Sequence, residues 1–315
     1  MSDWVGIMNT AEALEPTDVT IKTAFCQQRC QQMSFKGMPK LQWRFWKTLE
    51  STAALASLIS KVEQHEIVIR DARRHELSYE QTGFTLRPLC SKVVDWKAVA
   101  LSGTEQCKLY EAEMEAVVRE LHPEVKKIVW APFLLRGGAG ENPPAKGSMH
   151  LDYYTDDGIR EAYLQAKGHE HPKADGVDEE KLELGMVLGV WKPRNACNPV
   201  HDYPLIVCDA STMELGDVVP QYQQFEHIKE GKRQTEVNVA GMLKWSDRQR
   251  WYYFHEQTAD EVIVFRHRTV ARPSFVNAHG AAGPLPLPEG AETRSSVEGR
   301  AFLFFEKGLG YGQAA

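Results

Sequence analysis

The chain has 315 residues, 43% of them apolar and 25% charged, which suits a globular protein with a sizeable core. A count of 37 basic against 43 acidic side chains leaves a net charge of −6, which argues against nucleic acid or an anionic membrane as partner. No apolar run reaches the roughly 18 residues of a membrane span, and the N-terminus lacks the basic-then-apolar pattern of a secretory signal, so a cytoplasmic location is expected. Cys26, Cys30, Cys90, Cys107, Cys197 and Cys208 are scattered, with no Cys-x-x-Cys pair, and read as reduced thiols.

Residues 1–60 are irregular, apart from a short helix expected around Leu49, Ala53, Leu55 and Leu58-Ile59. Glu66 to Asp71 reads as a strand, and Gly83 marks a turn into another. Thr104 to Leu121 is the clearest helix, with Leu109, Ala112, Ala116-Val117 and Leu121 on one face. Val125 to Leu135 is an expected strand. His150 to Asp152 reads as a strand end before the turn signal Thr155-Asp156-Asp157-Gly158. A short helix is expected over 158–167, then a charged surface loop over 168–180 that could act as a lid.

Met186 to Trp191 and Pro204 to Asp209 are further expected strands. Trp251 to Phe254 and Glu261 to Phe265 are expected to pair around a turn, and Ala301 to Phe305 closes the fold. Many short strands between Gly and Pro turns, with helices mainly in the N-terminal half, point to a mainly β fold with flanking helices. A double-stranded β-helix, or jelly roll, is the architecture in which distant strands deliver ligands to one mouth. Residues 1–315 are expected to form one domain, with a helix-rich part, 1–125, packed on a core over 126–305.

On a strand, residues two apart point the same way, so His150 and Asp152 can converge on one point. An imidazole and a carboxylate so presented are two members of the facial triad that holds non-haem Fe(II). His279, before the final strand, is the candidate third ligand, with His255 as its rival. The plainer alternative for the pair is a surface histidine beside a turn-capping aspartate. His267 reads as structural, His169 and His171 as a solvated pair, and His201 and His227 carry no signal. Downstream, Arg294, Ser296, Glu298 and Arg300 alternate and share a strand face. An Arg-x-Ser step can hold a carboxylate such as the distal end of a 2-oxo acid, or it can form a strand-end salt bridge. Trp191, Trp251, Tyr252, Tyr153 and Tyr154 read either as core or as an aromatic wall over the metal, suited to a partly apolar substrate.

These segments together resemble a known family. The carriers are Asp71-Ala72-Arg73, Gln81-Thr82-Gly83-Phe84, His150-Leu151-Asp152, Val190-Trp191-Lys192-Pro193 and Pro199-Val200-His201-Asp202-Tyr203-Pro204-Leu205. They continue with Arg250 to Phe254, Asp260-Glu261-Val262 and Arg294 to Arg300. In this order they resemble the fungal hydroxylase/desaturase family, also labelled cephem-methoxylase-like, of Fe(II)/2-oxoglutarate-dependent oxygenases. The resemblance runs from about residue 65 to 305.

It implies a jelly-roll enzyme that uses Fe(II), 2-oxoglutarate and O2 to oxidise a C–H bond of a small specialised metabolite, by hydroxylation, desaturation or oxidative cyclisation. His150, Asp152 and His279 match the family's iron ligands, Arg294 and Ser296 its co-substrate clamp, and Arg300 a second arginine on the same face. Asp152 argues against halogenation, in which that ligand position is left free. Three departures stand out: Gly189 for an asparagine, Lys192 for an arginine, and Gly280-Ala281-Ala282-Gly283 for a Phe-Asp pair after His279, which leaves room near the metal. Alternatives of other classes are a cupin-type isomerase, a silent partner of a heteromeric oxygenase and a metal-free binding module. A homo- or heterodimer is left open.

Overall fold

Two facing sheets carry all fourteen strands of the described residues. The computed structural model describes residues 17–26, 62–137, 149–153, 163, 179–194, 199–229, 232–283 and 285–308. The helix expected around Leu49 to Ile59, the loop over 168–178 and, apart from Tyr163, the helix over 158–167 lie outside these residues, as do Tyr154, His169 and His171.

The first sheet runs in the order β1 (Val19–Cys26), β2 (Val62–Asp71), β11 (Trp251–Tyr253), β8 (Leu205–Cys208), β13 (His279–Ala281), β6 (His150–Leu151), β10 (Lys232–Leu243) and β9 (Val218–Lys229). The second runs β3 (Phe84–Pro88), β12 (Glu261–Thr269), β7 (Leu182–Pro193), β14 (Ser296–Glu306) and β4 (Lys127–Trp130), with β5 (Leu134–Arg136) also paired to β14. Three strands of the N-terminal 125 residues, β1, β2 and β3, are therefore built into the sheets.

Three local expectations change. β11 and β12 do not pair with each other: β11 lies between β2 and β8, and β12 between β3 and β7. The strand expected from Val125 to Leu135 is broken into β4 and β5 at Ala131-Pro132-Phe133, where proline offers no N–H to a ladder. The long helix stands where expected, with Thr104 capping Glu105–Leu121, but it is turned about its axis. Cys107, Tyr110, Met114, Val117 and Val118 are buried, whereas Ala112 and Ala116 are exposed. The larger Tyr110 and Met114 side chains remove more apolar area from water than the alanines would.

This helix covers the outer face of the second sheet, against Met186, Leu188 and Val190 of β7, Val262 and Val264 of β12, and Leu303 of β14. The alternate residues of β7, Val187, Gly189 and Trp191, face the first sheet. Both faces of β7 are buried, which is why its sequence is a continuous apolar run rather than an alternating one.

At the helix C-terminus, the buried His122 shares a 2.9 Å hydrogen bond with the Tyr79 hydroxyl. Burial, then the nearby Arg266 charge, lowers the His122 pKa to about 4. The unfolded chain regains the usual value, about 6.5. As pH falls between these values, the unfolded state takes up a proton that the folded state refuses, and stability drops by up to about 3 kcal/mol. His122→Asn should remove this share: the stability gap between wild type and variant, from urea unfolding, should narrow by about 2 kcal/mol between pH 7 and pH 4.5.

Candidate metal centre

Strand pairing brings the two histidines together. His279 of β13 lies directly opposite His150 of β6, with ring centroids 4.6 Å apart. Asp152 follows β6 and points the same way as His150, as period-two alternation requires. His150 Nε2 is 3.3 Å from Asp152 Oδ1, and His279 Nε2 is 3.8 Å from the same oxygen. One donor atom from each of the three residues lies within 4.8 Å of the others. Two imidazole nitrogens and a carboxylate oxygen form the donor set suited to non-haem Fe(II) with open positions.

Electrostatics favour the ligating forms. Burial pushes the Asp152 carboxyl up, but Arg300 first, then His150, outweigh it and hold the group well below the usual carboxylate range. Burial, then the neighbouring His150, lowers the His279 pKa to about 4, so its imidazole is neutral at pH 7 and a nitrogen lone pair is available. Its Nδ1 lies 3.4 Å from the Asn277 carbonyl, which orients the ring. His255, the rival, is elsewhere. Its side chain is 43% exposed beside Glu256, and its backbone N–H donates to Asp71.

The alternating face of β14 supplies the opposite wall. Arg300 donates from Nε and Nη2 to Asp152 Oδ2 at 2.7 and 2.6 Å, while Glu298 pairs with Arg136 at 3.0 Å. Arg294 and Ser296 are 2% and 1% exposed. The Arg294 guanidinium stacks over Trp191 at 5.3 Å, and Nη1 donates to the Tyr203 carbonyl at 2.6 Å. Its Nε and the Ser296 hydroxyl have no hydrogen-bond partner among the described residues. Two such buried polar atoms on one face form a cradle for an acceptor.

The segment Asp202-Tyr203 holds this arginine in place. Asp202 accepts from the Arg294 backbone N–H at 2.8 Å, and Tyr203 adopts a positive φ of 43°. Gly137, at φ 90°, admits the Arg294 carbonyl where a Cβ would lie 2.0 Å from it. Asp202 and Tyr203 stood in the sequence only as carriers of the family resemblance, and their support of Arg294 was not read there.

A cavity between the sheets reaches Asp152 and His279. Its apolar wall is Trp191, Leu205 and Phe265; its polar wall includes Asp152, His279, Glu298 and Arg300. Of the five aromatics offered for the pocket, Tyr154 lies outside the described residues and Trp191 lines the cavity. Tyr153 is buried beside His267 and Phe302, and Tyr252 packs in the apolar layer with Phe84 and Phe254. Trp251 lies on the other face of the first sheet, with Phe25, Ile69 and Ile206, because alternation along β11 turns it away from Tyr252. Lys192 also points away from the cavity, and its amine donates to the Leu89 carbonyl at 2.9 Å.

His267 is a further member of the site that the sequence offered only as structural. It is 2% exposed, lines the cavity and places Nε2 3.7 Å from Asp152 Oδ2. Burial holds its pKa well below the usual value. A polar residue in phase with Ile263 and Phe265 on an otherwise apolar strand face was the available signal.

Comparison with known proteins agrees with the resemblance read from the sequence. The family profile described as an oxidoreductase/YMDC permease-like domain matches residues 47–304. The Fe(II)/2-oxoglutarate-dependent dioxygenase nvfI of Aspergillus novofumigatus is 34% identical over 118 residues, which cover 37% of this chain and 40% of that protein. Aspirochlorine biosynthesis protein N of Aspergillus oryzae is 29% identical over 123 residues, covering 38% of this chain and 48% of that protein. The matches thus span less than half the length of these curated relatives. Among solved structures, the iron and alpha-ketoglutarate-dependent endoperoxidase NvfI shares the fold, with a TM-score of 0.65 at 20% identity over 93% of this chain and 100% of that one. The mainly β, jelly-roll fold class expected from the sequence is the fold observed.

Proposed function

Since the chain belongs to the oxidoreductase/YMDC permease-like family, we propose that it is an Fe(II)/2-oxoglutarate-dependent oxygenase that oxidises a small specialised metabolite. The observation that carries the proposal is the convergence of His150, Asp152 and His279, whose donor atoms lie within 4.8 Å of one another. These three residues would hold the iron. Bound there, Fe(II) supplies activation of O2 coupled to oxidative decarboxylation of 2-oxoglutarate, with the remaining oxidising equivalents spent on the substrate.

The chain's own part is binding, orientation and exclusion of water. Asp152 offers Oδ1 to the site while Arg300 holds Oδ2. The free Arg294 Nε and Ser296 hydroxyl suit the distal carboxylate of the co-substrate. Trp191, Leu205 and Phe265 form an apolar wall that suits a partly apolar substrate. Hydroxylation, desaturation or ring closure then follows from which substrate atom this wall presents. The relatives named for a dioxygenase, an endoperoxidase and a biosynthesis protein support a place in specialised metabolism.

Anaerobic titration with Fe(II) and then 2-oxoglutarate tests the proposal. A weak visible charge-transfer band of the chelate is expected, followed on aeration by formation of succinate. No band and no succinate would end the proposal. His255→Ala should leave the band intact. Arg294→Met removes a charged hydrogen-bond donor, worth about 1.5–3 kcal/mol. It should raise the 2-oxoglutarate concentration at half-saturation by roughly 10- to 100-fold, with Fe(II) binding unchanged.

A further inference from the structure

His267 does not sit in a regular stretch of strand. β12 pairs with β7 through Arg266↔Leu188 and then Arg268↔Val187, so His267 is the extra residue of a β-bulge. Bulges re-aim a side chain and bend the strand locally. Here the bulge falls at the imidazole, which points inward as Phe265 does, 4.8 Å from the Phe265 ring, 5.1 Å from His279 and 5.5 Å from Tyr153.

The opposing strand makes room for it. A Cβ at Gly189 would lie 2.6 Å from His267 Nε2 and 2.4 Å from Phe265 Cζ. Any side chain at position 189 would therefore displace the imidazole. The ring is costly to keep where it is: Nδ1 is shielded from solvent and has no partner among the described residues. An apolar side chain would fill the same space without that cost. A pure packing role does not account for a histidine here.

We infer that His267 is a positioning residue of the metal centre, which acts from the second sheet and sets, with Arg300, the orientation of the Asp152 carboxylate. Arg300 donates twice to Oδ2, and His267 Nε2 lies 3.7 Å from the same oxygen. Both side chains thus face the outer oxygen, which Arg300 binds and His267 approaches, and Oδ1 is left facing His150 and His279 at 3.3 and 3.8 Å. Groups that orient a metal-ligating carboxylate act on metal affinity through that ligand. The inference rests on the proposed iron site and adds to it a residue outside the three ligands.

Cobalt(II) titration of the full chain, followed by the visible d–d bands, tests this without turnover. His267→Ala should weaken Co(II) binding by about 10- to 100-fold and shift the bands. His267→Gln, which keeps a side-chain N–H, should recover most of the affinity. Gly189→Ala keeps the imidazole but displaces it, and should also weaken binding, which covers the case of a poorly folded His267→Ala. Unchanged affinity in His267→Ala and Gly189→Ala, while Asp152→Ala loses the bands, would overturn the positioning role alone. Equal weakening in His267→Ala and His267→Gln would also overturn it, since lost packing would then suffice. Cobalt bands that survive Asp152→Ala would instead bring down the iron site itself, and this inference with it.

Discussion

Replacing His150 or His279 with alanine is expected to abolish both the Fe(II)/2-oxoglutarate charge-transfer band and the formation of succinate. In the proposed site each histidine would supply one of three donors, and their geometry comes from a single strand pairing, His279↔His150. The remaining imidazole and Asp152 cannot reproduce a three-ligand face. A thermal readout separates lost binding from lost fold. Metal at 100 times its dissociation constant stabilises the native state by about 2.7 kcal/mol, so wild-type protein should unfold at a higher temperature when Fe(II) is added anaerobically. The variants should show no such rise. His150 has a 28% exposed side chain, so His150→Ala should unfold at nearly the wild-type temperature without metal. A metal-induced rise retained in both variants would remove these histidines from the site.

Arg300→Ala should destabilise the metal-free protein by about 3–5 kcal/mol, because it leaves Asp152 as a buried charge without its main partner. Arg300 and Asp152 are 22% and 15% exposed, and the pair is held at 2.6 Å. The sign of the pH dependence follows from Asp152. In the wild type, Arg300 holds the carboxyl well below its usual range, against burial that pushes it up. Without Arg300 burial prevails, the carboxyl pKa rises, and protonation relieves the buried charge as pH falls. The deficit, from urea unfolding of both proteins, should therefore be largest near pH 7.5 and shrink toward pH 5. Adding Asp152→Asn to Arg300→Ala should recover much of the loss at pH 7.5, since neither charge then remains. A loss independent of pH, and not rescued by Asp152→Asn, would mean that Arg300 acts by packing alone. Arg294→Met should do the opposite, changing co-substrate affinity and not the stability of Asp152.

Local spacing alone did not distinguish the two arginines, which only the family resemblance set apart. Arg294, Ser296, Glu298 and Arg300 are legible as one face of one strand, because a period of two is a local property of the chain. Which of them meets Asp152 depends on how β14 of the second sheet is stacked on β6 of the first, across 148 residues of sequence. The same division runs through the fold. The helix at Glu105–Leu121 announces itself by periodicity and by its Thr104 cap. The β9–β10 hairpin was not legible, since the polar run from Gln221 to Asn238 lacks the alternation that marks a half-buried strand.

By itself, then, the sequence determined a mainly β class, the His-x-Asp pair with a candidate distant histidine, and the alternating polar face of the last strand, while the jelly roll was what the family resemblance implied. The first three are written in local spacing and residue type. Only the tertiary structure decided that Arg300 belongs to Asp152, that Trp251 faces away from the cavity, and that His267, at a bulge in β12, enters the site beside Gly189. Spacing along a strand says which side chains share a face. Sheet stacking and a one-residue shift in register decide what that face meets.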